Sequence, residues 1–204
     1  MKGLFKGCWT IPNLLSFLRI VIVPVFAYFF VKGNAWLVVA MLALSGISDF
    51  LDGKIARRFN QVSDLGKVLD PVADKLTQIT LAVLLFWSFN KATDETLKTF
   101  SWIFLVFIIK EFVMVVFGGF MLLINLRPSA AEIYGKVATF SFYVIMILIV
   151  AFGPEVGMFR EMLFELPQPL MMILVVVSAI LTLVAFVSYL PDTYRQFKEK
   201  YSKK

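Results

Sequence analysis

AWLVVAMLALSGISDFLDGKIARRFNQVSDLGKVLDPVADKLTQITLAVLLFWSF, residues 35–89, is the stretch that decides how this chain folds. It opens with an apolar run, turns polar around 49–67, and closes with a second apolar run ending at Phe89. Each run, extended into its acidic flank, has about the 20 residues that a helix needs to cross a bilayer. The connection at 58–65 is short and polar, so the two helices are expected to be antiparallel neighbours. Asp49 and Asp52 lie on one side of it, Asp70 and Asp74 on the other.

The rest of the chain repeats the pattern. Its 204 residues are 60% hydrophobic and 17% charged, and the mean hydropathy is +0.84. Soluble domains have about 45–50% apolar and about 25% charged residues. A disordered chain is therefore excluded, a soluble enzyme is not expected, and an all-α polytopic membrane protein is. The spans fall at about 11–31, 35–57, 66–89, 100–124, 134–152 and 170–190. Six such helices use roughly 120 residues, which leaves a single membrane domain over 1–204. Residues 1–10 read as an interfacial segment with Trp9 at headgroup level, 153–169 as an irregular outer connector, and 191–204 as a basic tail. The first apolar stretch is too long for a signal h-region and is expected to be retained.

Orientation follows from lysine and arginine. With a cytoplasmic N-terminus, 13 flank the inner side and 4 the outer side, while Arg19, Lys75 and Lys110 lie within spans. Both termini are thus expected inside. The net charge of +6 then reports topology and anionic lipid rather than nucleic acid.

Composition also limits the chemistry. The chain has no histidine, so a histidine base, a Ser-His-Asp triad and a histidine metal site are excluded. Cys8 alone forms neither an intrachain disulfide nor a thiolate cluster. Any metal must be held by oxygen.

Ionisable residues inside spans are costly and mark functional sites. Asp49, Asp52 and Ala56 fall at i, i+3 and i+7; Gly66, Asp70 and Asp74 fall at i, i+4 and i+8. Each set lies on one helical face. Four converging carboxylates repel one another without a cation. Mg²⁺ or Mn²⁺ suits such a ligand set, and a pair of ions suits phosphoryl-type transfer. Gly53, Ala56 and Gly66 are small enough to let a backbone or ligand approach closely. Arg57 and Arg58 stand where phosphate would arrive.

Asp49-x2-Asp52-Gly53-x2-Ala56-Arg57-x8-Gly66-x3-Asp70-x3-Asp74 resembles the motif of the CDP-alcohol phosphotransferases, with eight positions at fixed spacing. The six-span topology with both ends inside is also similar to that family. The resemblance implies phosphatidyl transfer from CDP-diacylglycerol to an alcohol, with release of CMP. It implies that Asp49, Asp52, Asp70 and Asp74 bind two divalent cations and that Asp74 is the base. Asp52, Gly53, Ala56, Arg57, Gly66 and Asn13 would then form the CDP-lipid site. It further implies a homodimer in a bacterial plasma membrane, with the site facing the cytoplasm.

Four segments bear on the acceptor. Pro12–Arg19 (PNLLSFLR) and Leu69–Lys75 (LDPVADK) resemble phosphatidylglycerophosphate synthases and the cardiolipin synthases of this superfamily. Lys110-Glu111 resembles an Arg-Glu pair on the fourth helix of the former, and Gly135-Lys136-x-x-Thr139 resembles a further segment. Lysine replaces arginine at 110, and Phe142 stands where glutamine is expected. Arg19, Lys75, Lys110, Arg127 and Lys136 are the candidates for an acceptor phosphate. Glycerol 3-phosphate is the expected acceptor, and phosphatidylglycerol, giving cardiolipin, is the alternative. A divalent-cation transporter is a remote third reading, because the outer halves of these helices are apolar.

Overall fold

A computed structural model describes residues 10–58, 66–124, 126 and 133–201. The described residues form helices and turns without strands. Helix α1 (Ile11–Val31) starts where the Thr10 side chain accepts from the Asn13 amide, with Pro12 in the first turn where its missing N–H costs nothing. It stops at Gly33, whose φ of 72° is open to glycine at no steric cost. Asn34 then accepts from the Leu37 amide and opens α2 (Ala35–Arg58). Next come α3 (Gly66–Asn90), the short α4 (Glu95–Phe100), a 3-10 turn (Ser101–Ile103) and α5 (Phe104–Leu123). Helices α6 (Ile133–Phe152), α7 (Gln168–Ser188) and α8 (Leu190–Tyr201) complete the chain.

Five stretches are long and apolar enough to cross a membrane: Asn13–Val31, Leu69–Asn90, Glu95–Met121, Ile133–Phe152 and Gln168–Lys200. Helix α2 differs from the expected span. It has 24 residues, but its apolar part is only Trp36–Ser48, because Asp49, Asp52, Lys54, Arg57 and Arg58 occupy its last turns. The span expected at 100–124 begins earlier, at Glu95, and is broken by the 3-10 turn. The expected basic tail is helical as far as Tyr201.

Helix α1 packs against both acidic helices, α2 and α3; α3 packs against α5, and α6 against α7. Phe26, Leu42, Leu81, Leu85, Phe89, Phe104, Phe107, Met146 and Ile149 fill the interior. The outer face stays apolar, with Ile109, Phe112, Val116 and Phe120 on α5 and Ile173, Val177 and Ile180 on α7 exposed. Such a continuous apolar surface suits lipid rather than water.

The 153–169 connector is more ordered than its sequence suggests. Met158, Phe159 and Leu166 donate their amides back to Val150, Ala151 and Phe152 at the end of α6. A side chain at Gly153 would meet the Ile149 carbonyl oxygen at 2.6 Å, so glycine is needed there. Glu155 accepts from the Thr93 and Asp94 amides at 2.8 and 3.1 Å, which ties this connector to the one before α4. The 58–65 connection beyond Arg58, the interfacial segment before Thr10, and Arg127 lie outside the described residues.

Candidate active site

Helix α3 carries Asp70 and Asp74, two of the expected site residues, and is held from three sides. Asp70 and Asp74 are one turn apart and half-buried, as their spacing predicts. The Ser16 hydroxyl on α1 donates to Asp70 Oδ1. Tyr143 on α6 donates its hydroxyl to Asp74 Oδ1 at 3.0 Å, and Gln78, one turn along α3, donates Nε2 to Asp74 Oδ2 at 2.8 Å. Both oxygens of Asp74 are thereby fixed in direction. Lys75 reaches the other way, to Glu111 on α5.

Helix α2 runs unbroken to Arg58, so Asp49, Asp52 and Ala56 share a face of a continuous helix. The side chains of Asp49, Asp52, Ala56 and Arg57, and the surroundings of Gly53, lie outside the described residues. Gly66 opens α3 and is buried. Among the described residues no cluster of three or more His, Cys, Asp or Glu forms. The donors that are described, Asp70 and Asp74, are carboxylate oxygens, and a chain without histidine fits a hard divalent cation.

The cationic candidates divide into two groups. Lys75 and Lys110 come together in a cleft between α3, α5, α6 and α7, whose wall also includes Gln78, Thr139, Thr182 and Tyr189. Glu111, only 3% exposed at its side chain, bonds Lys75 through Oε2 and Lys110 through Oε1. Two ammonium groups share one carboxylate here, and Asp74 also acts electrostatically on Lys110. A buried carboxylate needs such partners to offset its desolvation. Arg19, 1% exposed, and Asn13 are buried on α1 with Ser16, on the Asp70 side, and do not line the cleft. Lys136 is exposed at the start of α6.

Gln78 and Tyr143 do not stand out in the sequence. Gln78 carries a usable signal, since it lies four residues after Asp74 on the same face. Tyr143 carries none: 69 residues separate it from Asp74, and only the packing of α6 brings them together.

Residues 9–187 match the family model described as CDP-alcohol phosphatidyltransferase. The chain is 32% identical over 190 residues to a protein of Aquifex aeolicus named CDP-diacylglycerol--glycerol-3-phosphate 3-phosphatidyltransferase, covering 93% of this chain and 99% of that one. It is 38% identical over 139 residues to the cardiolipin synthase (CMP-forming) of Streptomyces coelicolor, covering 65% and 60% of the two chains. It is also 43% identical over 87 residues to the human cardiolipin synthase (CMP-forming), covering 42% and 29%. The matched region is thus less than two thirds of the Streptomyces and human proteins and nearly all of the Aquifex one. Acidic motif, helical bundle and family model coincide over most of the sequence, and the chain belongs to the CDP-alcohol phosphatidyltransferase family.

Proposed function

We propose that this chain transfers the phosphatidyl group of CDP-diacylglycerol to sn-glycerol 3-phosphate, giving phosphatidylglycerophosphate and CMP. The observation that carries this reading is the position of Asp74. Its carboxylate is oriented by Tyr143 and Gln78, and Gln78 also lines the cleft that holds Lys75 and Lys110. A base thus stands beside a cationic cleft suited to a phosphate-bearing alcohol. The Aquifex relative, matched over nearly its whole length, supports the same acceptor.

In this reading the acceptor hydroxyl oxygen attacks the lipid phosphorus while Asp74 takes the hydroxyl proton. The bond from phosphorus to the bridging oxygen breaks, and that oxygen leaves with the electron pair as part of CMP. Asp52, Gly53, Ala56, Arg57, Gly66 and Asn13 are assigned to the CDP-lipid. Two Mg²⁺ or Mn²⁺ ions, held by Asp49, Asp52, Asp70 and Asp74, would supply charge neutralisation at the pyrophosphate. Lys75 and Lys110 are assigned to the acceptor; Arg19, Arg127 and Lys136 remain further acceptor-phosphate candidates.

We infer six spans, α2 being the sixth, with both termini and the site on the cytoplasmic side of a bacterial plasma membrane. The lysine and arginine asymmetry supports the orientation. A single domain and a homodimer complete the proposal, the dimer resting on the family resemblance alone.

A second reading keeps the site and changes the acceptor to phosphatidylglycerol, giving cardiolipin. Glu111 supports it, because it already offsets lysine charge in the cleft, and a phosphodiester needs fewer cations than a phosphomonoester dianion. The Streptomyces and human relatives carry that activity in their names. The transporter reading finds no support: beyond Gln78, α3 continues inward with buried Leu81, Ala82, Leu85 and Phe89. Release of CMP from CDP-diacylglycerol by purified protein tests the proposal. Release that needs glycerol 3-phosphate supports it; release with phosphatidylglycerol alone supports the second reading instead, and no release with either would overturn both.

A further inference from the structure

We propose that Tyr143 and Gln78 are positioning residues for Asp74, holding its carboxylate in the direction that lets it take the acceptor proton. This rests on the reading of Asp74 as the base. An aspartate on a helix face turns freely about two side-chain bonds unless something stops it. Among the described residues a donor holds each oxygen: Tyr143 on Oδ1 at 3.0 Å and Gln78 on Oδ2 at 2.8 Å. They come from different helices, so rotation that relieves one bond breaks the other. Both are buried, Tyr143 at 8% and Gln78 at 3% exposure, so water does not readily replace them.

The Tyr143 ring is itself placed by packing. It lies edge-on to Phe142 at 5.9 Å, and Phe142 meets Phe107 of α5 at 5.2 Å. This aromatic row sets where α6 presents the hydroxyl to α3. Gln78 acts from the other side. Its amide bonds Asp74 and its side chain lines the cleft with Lys75 and Lys110, so base and acceptor cleft meet at this residue. Proton transfer demands approach within hydrogen-bond reach, and a small misplacement of the base costs large factors in rate.

The test is steady-state CMP release by the full chain carrying Tyr143→Phe or Gln78→Leu, with Asp74→Asn alongside. Each of the first two removes the donor and keeps the bulk. Expected is a kcat about ten- to a hundred-fold lower for each, the loss of one hydrogen bond to a charged group. Counted per folded molecule, with the folded fraction read by thermal unfolding, kcat should still fall while the KM for CDP-diacylglycerol stays at the wild-type value; general loosening of the bundle would lower only the folded fraction. A higher KM at wild-type kcat, or wild-type kinetics in both variants while Asp74→Asn is inactive, would overturn the positioning role. Wild-type turnover in Asp74→Asn would instead overturn the assignment of the base, and the positioning role with it. If Tyr143→Phe fails to fold, Gln78→Leu decides by the same criteria.

Discussion

Lys75 on α3 is ion-paired with Glu111 on α5, a carboxylate whose side chain is almost wholly buried. The second oxygen of Glu111 holds Lys110, so one acid ties two helices and two bases together at the wall of the cleft between α3, α5, α6 and α7. Removing the acid leaves two neighbouring ammonium groups without their counter-charge. Breaking a fully buried pair costs about 3–5 kcal/mol. Lys75 keeps some contact with water, so about 2–3 kcal/mol is the expected loss for Glu111→Gln. Thermal unfolding of detergent-purified protein reads it directly. An unchanged midpoint would mean that the pair does not stabilise the bundle.

Lys110→Met tests the acceptor role proposed for the cleft. Lys75 still pairs Glu111 in this variant, so the bundle should keep most of its stability. The KM for an anionic acceptor should rise about ten-fold, the value of one charge-assisted hydrogen bond. The KM for CDP-diacylglycerol should not move. Equal rises in both would place Lys110 in general support of the site rather than in acceptor binding.

Divalent cation is the third lever. Four carboxylates on two helix faces, in a chain without histidine, suit Mg²⁺ or Mn²⁺. Chelation with EDTA should abolish CMP release, and excess Mg²⁺ or Mn²⁺ should restore it. Full turnover after exhaustive chelation would remove the metal from the proposal.

The connection between α3 and α4 offers a pH-dependent cap, Asp94, twenty residues along the chain from Asp74. Asp94 accepts from the Thr96 amide at 2.6 Å and the Leu97 amide at 3.4 Å, and the Thr96 bond in particular holds its carboxyl below the usual carboxylate range. A carboxyl depressed by folding stabilises above its unfolded pKa, about 3.9 for aspartate. That contribution disappears as pH falls through the lower folded value. Hydrogen exchange at Thr96 and Leu97, corrected for intrinsic rates, should therefore lose protection only below about pH 4, and Asp94→Ala should lose it at neutral pH. Equal protection in wild type and Asp94→Ala would show that the cap does not hold α4.

The bundle was largely legible because bilayer thickness dictates apolar length, and the runs at 11–31, 134–152 and 170–190 meet it almost residue for residue. Helix α2 was harder. Its last turns serve the polar site, so helix length and apolar length part company at Asp49. Asp70 and Asp74 were legible because i and i+4 share a face whatever the tertiary fold. Glu111 was visible only as the neighbour of Lys110, and its hold on Lys75 depends on how α5 meets α3. Tyr143 was invisible for the same reason: helical spacing fixes faces within a helix, not which faces meet.

Product identity tests phosphatidyl transfer most directly. Purified protein is incubated with Mg²⁺ and isotopically labelled CDP-diacylglycerol, with glycerol 3-phosphate in one reaction and phosphatidylglycerol in another, and the lipids are resolved by mass spectrometry. Labelled phosphatidylglycerophosphate in the first reaction is expected; cardiolipin in the second alone would transfer the same site to the second acceptor. Labelled CDP-diacylglycerol recovered unchanged from both, with protein that still unfolds cooperatively, would contradict phosphatidyl transfer to a glycerol-type alcohol.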